Sequence, residues 1–171
     1  MTPEFSAPVS PEDIAIVSKQ LGRPARNVIG IAARCLCGRP TVVSTAPRLD
    51  DGTPFPTFYY LTHPAATAAV SHLEAEQVMV EYNQLLHDDE ECAFAYARAH
   101  DHYVNDREAV AVVDEISGVS AGGMPHRVKC LHALVAHSLA AGPGVNPIGD
   151  RALARMSWSP SKCVCEAVNL L

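Results

Sequence analysis

The chain has 171 residues, 48% of them hydrophobic, and a formal net charge of −6. That length supports one domain with a real core, and an acidic balance without a long basic run excludes nucleic acid and anionic membrane as expected partners. The opening residues, MTPEFSAPVSPED, have neither a basic start nor an apolar core, and no apolar run could span a bilayer, so a cytoplasmic location is expected and the six cysteines point to metal binding, redox work or burial rather than to three disulfides.

Residues 1–9 read as a disordered tail, and residues 10–171 as a single domain. Ser10 suits a helix N-cap, Pro11 a first helical position and Asp13 the first turn. Ile14, Val17 and Leu21 then share one face, and Gly22 ends the helix. Residues 27–33 and 41–45 have strand composition. Between them stands Arg34-Cys35-Leu36-Cys37-Gly38-Arg39-Pro40, which predicts a β-hairpin with Cys-x-Cys at its tip. Residues 46–56 form a loop rich in Pro, Asp and Gly, and residues 57–62 a third strand. From His63-Pro64 a helix is expected to about residue 87. Asp88 or Asp89 restarts the chain as a cap, and a second helix runs to about residue 108 through Phe94, Ala97, Ala99 and Tyr103.

The stretch 117–150 is the centre of the reading. A Gly122-Gly123 loop leads into a helix expected over 125–141, with Val128, Leu131, Val135 and Leu139 as its apolar stripe and Gly142 as its stop. A short helix over 149–157 follows, and the tail carries a second Cys-x-Cys at Cys163 and Cys165. The fold class expected is α+β, mostly helical. A small antiparallel sheet of two or three strands, with the Cys-x-Cys hairpin, would pack beside the central helix.

Cysteine and histidine placement carries the chemistry. Thiolates with imidazole suit zinc, and cysteines alone suit an iron–sulfur cluster. The candidate ligands are Cys35, Cys37, His63, Cys130, Cys163 and Cys165. Cys35, Cys130 and one of Cys163 or Cys165 lead the set. Cys37 and His63 compete for the fourth place, with His132 behind them. Cys92 sits alone in an amphipathic helix and reads as a core thiol, and His72, His87, His100 and His102 read as solvated. Arg48, Gly122, Gly123 and Arg127 form a second signal: cations beside loops with free N–H groups, able to take a small anion. No GxSxG, HExxH or strand-bound GxGxxG is present. His126 and Cys130, one helical turn apart, are a weaker base and nucleophile pair, which Asp150 could orient.

The stretches APRLDDGTPFPTFYYLTHP (46–64) and SAGGMPHRVKCLHALVAHSLAAGPGVNPIGD (120–150) are long and unusual. In them the chain resembles the domain-of-unknown-function family numbered 501, an uncharacterised bacterial family best represented in actinobacteria. The resemblance extends over nearly the whole chain and implies a bacterial cytoplasmic protein. It supplies no activity, cofactor or catalytic residue. Two function classes follow. In one, zinc (or an iron–sulfur cluster) is structural and the protein is a binding or regulatory module with a small anionic ligand or a protein partner. In the other, an open metal position makes it an enzyme acting on a small anion held by the Gly-rich loops.

Overall fold

A computed structural model describes residues 7–165. Residues 1–6 of the expected N-terminal tail, and the last six residues of the C-terminal one, lie outside the described residues. The elements in chain order are α1 (Pro11–Leu21), β1 (Val28–Arg34), β2 (Pro40–Thr45), β3 (Tyr59–Leu61), α2 (Pro64–Ala75), α3 (Val78–Asp88), α4 (Glu90–Glu108), α5 (Leu131–Ala141) and α6 (Pro147–Arg155), with one 3-10 turn at Asp114–Ile116. The α+β class, the predominance of helix over strand, the antiparallel sheet and the position of Cys35 and Cys37 at the β1–β2 hairpin are as expected. Among the described residues no helix is long and apolar enough to cross a membrane.

The sheet order is β1-β2-β3, antiparallel throughout. Ala7 adds a bridge to the outer side of β1 at Ile31, so paired backbone begins ahead of residue 10. Because strand side chains alternate between faces, β2 divides its residues between two apolar clusters. Val43 joins Val17 and Ile31 under α1, and Val42 faces the large core built by α2 to α6. Every residue of β2 is buried, as a central strand between two layers requires. Helix α5 packs against β3 and is buried without interruption from Ala133 to Ser138.

Helix α1 starts as its sequence predicts. Ser10 Oγ accepts from the Asp13 amide at 3.1 Å, and Asp13 Oδ2 accepts from the Ser10 amide at 3.0 Å. The expected long helix over 64–87 is instead two. Gln77 adopts a left-handed backbone, φ 61°, between α2 and α3. A non-glycine residue there costs roughly 1 kcal/mol, and the bend turns α3 onto α4. In α4 the buried residues are Cys92, Tyr96, Ala99, Tyr103 and Arg107, whereas Phe94 faces outward.

The central helix also differs from expectation: it begins at Leu131, not residue 125. Residues 122–126 form turns instead, closed by the Lys129 and Cys130 amides donating to Gly122 O at 2.7 and 3.3 Å. Gly122 holds φ 69°, and a Cβ there would come 2.6 Å from Leu134 Cδ2. Its lack of a side chain is therefore a packing requirement of α5. The last helix starts two residues earlier than expected, at Pro147, with Asn146 Oδ1 accepting from the Gly149 amide at 2.9 Å.

Candidate metal centre

Two Cys-x-Cys segments meet. Sulfur atoms of Cys35, Cys37, Cys163 and Cys165 all lie within 4.8 Å of one another. The first pair sits in the β1–β2 turn, where the Cys35 amide donates to Arg39 O and the Gly38 amide to Cys35 O, each at 2.8 Å. Gly38 supplies the φ of 89° that closes this turn. Arg34, at the end of β1, fastens it from behind. Its Nη1 reaches Asp13 Oδ1 at 2.7 Å and Gly38 O at 2.9 Å. Asp13 thus caps α1 and anchors the hairpin, and the guanidinium beside it holds its carboxyl down to about 2.

The second pair arrives on the segment after α6. Met156 and Trp158 are buried in the main core and fix where this segment leaves it. The Trp158 ring packs on that of His63, with centroids 5.4 Å apart. Cys37 and Cys165 then approach to 3.4 Å between sulfurs. Burial pushes the thiols of Cys35 and Cys165 up. In Cys37 burial acts the same way, but the Arg39 amide and the sulfurs of Cys165, Cys163 and Cys35 outweigh it and bring that thiol down to about 7. Four thiolates this close repel one another, and a bound cation relieves the repulsion.

His63 is fully buried at the cap of α2. Its Nδ1 accepts from the Ala66 amide at 3.4 Å, which leaves the ring proton on Nε2. That Nε2 lies 3.3 Å from Cys165 Sγ. The geometry makes His63 an N–H donor to a cysteine sulfur.

Cys130 is elsewhere. It stands just before α5, where Cys130, His132 and Glu74 bring one ligand atom each within 4.8 Å. Glu74 Oε1 accepts from the Leu131 amide at 2.8 Å and lies 3.2 Å from His132 Nδ1, while His132 Nε2 lies 3.2 Å from Ser71 Oγ. Cys130 and His132 line a cavity of about 750 Å³ between β3, α2 and the start of α5.

A third group, His102, Asp106 and His137, is occupied internally. His137 is fully buried; Asn146 Nδ2 donates to its Nδ1 at 3.1 Å, and its Nε2 lies 3.2 Å from His102 Nδ1. Tyr59 OH donates to Asp106 Oδ2 at 2.6 Å. Burial holds the His137 imidazole down to about 3, so it is neutral. His102 is half-buried in this network and His100 bonds Ser120 Oγ at 2.8 Å, so neither is freely solvated. His72 and His87 are exposed and Cys92 is buried, as expected.

Arg48 pairs with Glu115 at 2.7 Å and donates to Gly52 O at 2.8 Å. Arg127 is exposed and its carbonyl accepts from Tyr96 OH at 3.0 Å. Gly123 O accepts from the Arg127 amide at 3.1 Å, and a Cβ on Gly123 would come 2.6 Å from Arg127 O. Asp150 accepts from the Gly144 amide at 2.8 Å rather than from a histidine, and His126 lies on an exposed turn outside any helix. The sequence reading missed Glu74 altogether, since nothing local marks a carboxylate that meets its partner 58 residues on.

Compared with known proteins, the chain matches the family described as "Protein of unknown function (DUF501)" over residues 31–154. It belongs to that family. The matched span holds Cys35, Cys37, Glu74, Cys130 and His132 and ends ahead of Cys163 and Cys165. No curated protein and no solved structure matches it.

Proposed function

We propose that the protein binds one zinc ion through Cys35, Cys37, Cys163 and Cys165, that the ion is structural, and that the domain it braces acts as a binding or regulatory module. The convergence of four sulfurs within 4.8 Å carries this reading. A tetrahedral zinc with Zn–S bonds of about 2.3 Å sets its sulfurs roughly 3.8 Å apart. The 3.4 Å between Cys37 and Cys165 and the 4.8 Å limit bracket that spacing. An iron–sulfur cluster spreads its four cysteines over two or more irons joined by bridging sulfides, so some of its sulfurs stand farther apart than around a single ion. Four protein ligands leave no open position, which is the pattern of a structural ion rather than a catalytic one. His63 then donates to Cys165 from outside the ligand set, a contact that orients such ligands.

The metal-enzyme alternative would place an ion at Glu74, Cys130 and His132, with its open side on the cavity. The cavity residues include no Lys or Arg, so a small anion would find little countercharge there.

Elemental analysis and a visible spectrum, on protein purified without chelators, test the zinc reading. About one zinc per chain is expected, with no visible band, and Cys35→Ser should remove it. Iron with sulfide, or no metal, would overturn it.

A further inference from the structure

Two residues on the wall of the cavity were left aside by the zinc reading, the thiol of Cys130 and the imidazole of His132, and the Glu74 carboxylate stands beside that imidazole. We propose that Cys130 is a nucleophile that takes an acyl group from an uncharged, largely apolar ester or thioester, with His132 as its proton partner.

Three observations carry this. First, Cys130 stands at the N-terminus of α5, where the His132 and Ala133 amides of the first turn face its sulfur and stabilise negative charge there. Second, His132 in the first turn of the same helix is held by Glu74 at 3.2 Å, and Glu74 is itself fixed by the Leu131 amide at 2.8 Å. Third, the cavity is large enough for a small molecule, and Leu21, Tyr60, Leu61, Pro64, Ala68 and Ala133 are among its walls. Its polar lining comes from Gln20, Thr57, Thr62 and Thr67, and it includes no Asp, Glu, Lys or Arg. A neutral substrate matches that lining. Consistent with the pairing, His132 beside it holds the Cys130 thiol below its ordinary value despite burial, and Cys130 and Glu74 hold the imidazole above its own.

The step balances within these groups and the substrate. The Cys130 proton passes to the His132 ring, and the sulfur forms a bond to the carbonyl carbon. The bond from that carbon to the leaving oxygen or sulfur then breaks, and the His132 proton goes to the leaving group. Water attacks the resulting thioester and restores the thiol.

The test uses the zinc-loaded full chain with p-nitrophenyl butyrate, an uncharged ester, at neutral pH. A burst of about one nitrophenol per chain is expected, with the butyryl group on the Cys130 peptide by mass spectrometry. Cys130→Ala should abolish the burst, and His132→Gln should slow it by about 100-fold. Mapping the acyl group in the unaltered protein keeps the test decisive if a variant folds poorly. Acylation elsewhere, or an equal burst in Cys130→Ala, would overturn the proposal. So would a second zinc per chain that Cys130→Ala removes, because the three groups would then be metal ligands.

Discussion

His63 Nε2 lies 3.3 Å from Cys165 Sγ, and the Ala66 amide on the other ring nitrogen fixes which of the two carries the proton. The buried imidazole therefore offers an N–H to the sulfur. His63→Phe keeps a ring against Trp158 and removes that donor. Zinc affinity should fall by about 10- to 100-fold while the stoichiometry stays at one. Competition with a chromophoric chelator measures both. Loss of the ion in purified His63→Phe at saturating zinc would instead make His63 a ligand.

Cys130→Ala should keep its zinc, whereas Cys163→Ser should lose it. The two cysteines look alike in sequence, and they occupy separate clusters in space. Metal content of the two variants, side by side, separates the sites. Chelator should lower the melting temperature of the unaltered protein and of Cys130→Ala by similar amounts, and leave that of Cys163→Ser unchanged.

Strong acid should release the hairpin's anchor. The Asp13 carboxyl, held down to about 2 by Arg34, has a folded value below its unfolded one near 3.9. Its contribution is therefore full above that unfolded value and is lost as pH falls through about 2. Discounted for a half-exposed Arg34, it is roughly 1–2 kcal/mol. Urea unfolding of the unaltered chain and of Asp13→Asn, compared between pH 7 and pH 2, should show the gap closing at the acid end.

Arg107 is 1% exposed and donates to three carbonyls, those of Pro56, Ile116 and Val119. It pins the loop after β2 to the loop after α4. Arg107→Met fills similar volume and strands those carbonyls, so a loss of roughly 3 kcal/mol is expected by urea unfolding.

Gly149 lets α6 cross α5 at backbone distance. A Cβ there would overlap the Leu134 carbonyl group, which is backbone and cannot turn aside, and Ser138 Oγ. Gly149→Ala should cost roughly 2–3 kcal/mol and lower the melting temperature accordingly.

What could be read from sequence was local. Ser10 and Asp13 write their own cap, Asp89 caps α4, and Gly38 marks the tight turn between the first two cysteines. Non-local competition decided the rest. Pro125 is a good helix starter, yet the chain ahead of α5 is tied into turns by Gly122 O, and α5 begins where a Glu74 oxygen from α2 meets the Leu131 amide. Gln77 is a good helix former, and tertiary packing still breaks the helix at it. Spacing also singled out cysteines and histidines that do cluster, but it grouped Cys130 with the two Cys-x-Cys pairs. Both Cys-x-Cys pairs meet, and Cys130 pairs with the histidine two residues on.

Under the zinc proposal, two ligands come from a hairpin that forms locally and two from beyond α6. A hairpin closes within microseconds, whereas joining its tip to a segment more than a hundred residues away awaits every intervening helix. With only two sulfurs in reach, a half-built chain would grip the ion weakly. Tight metal capture would then be the last event of assembly, and the rate at which added zinc becomes resistant to a chelator would be a clock for the whole fold.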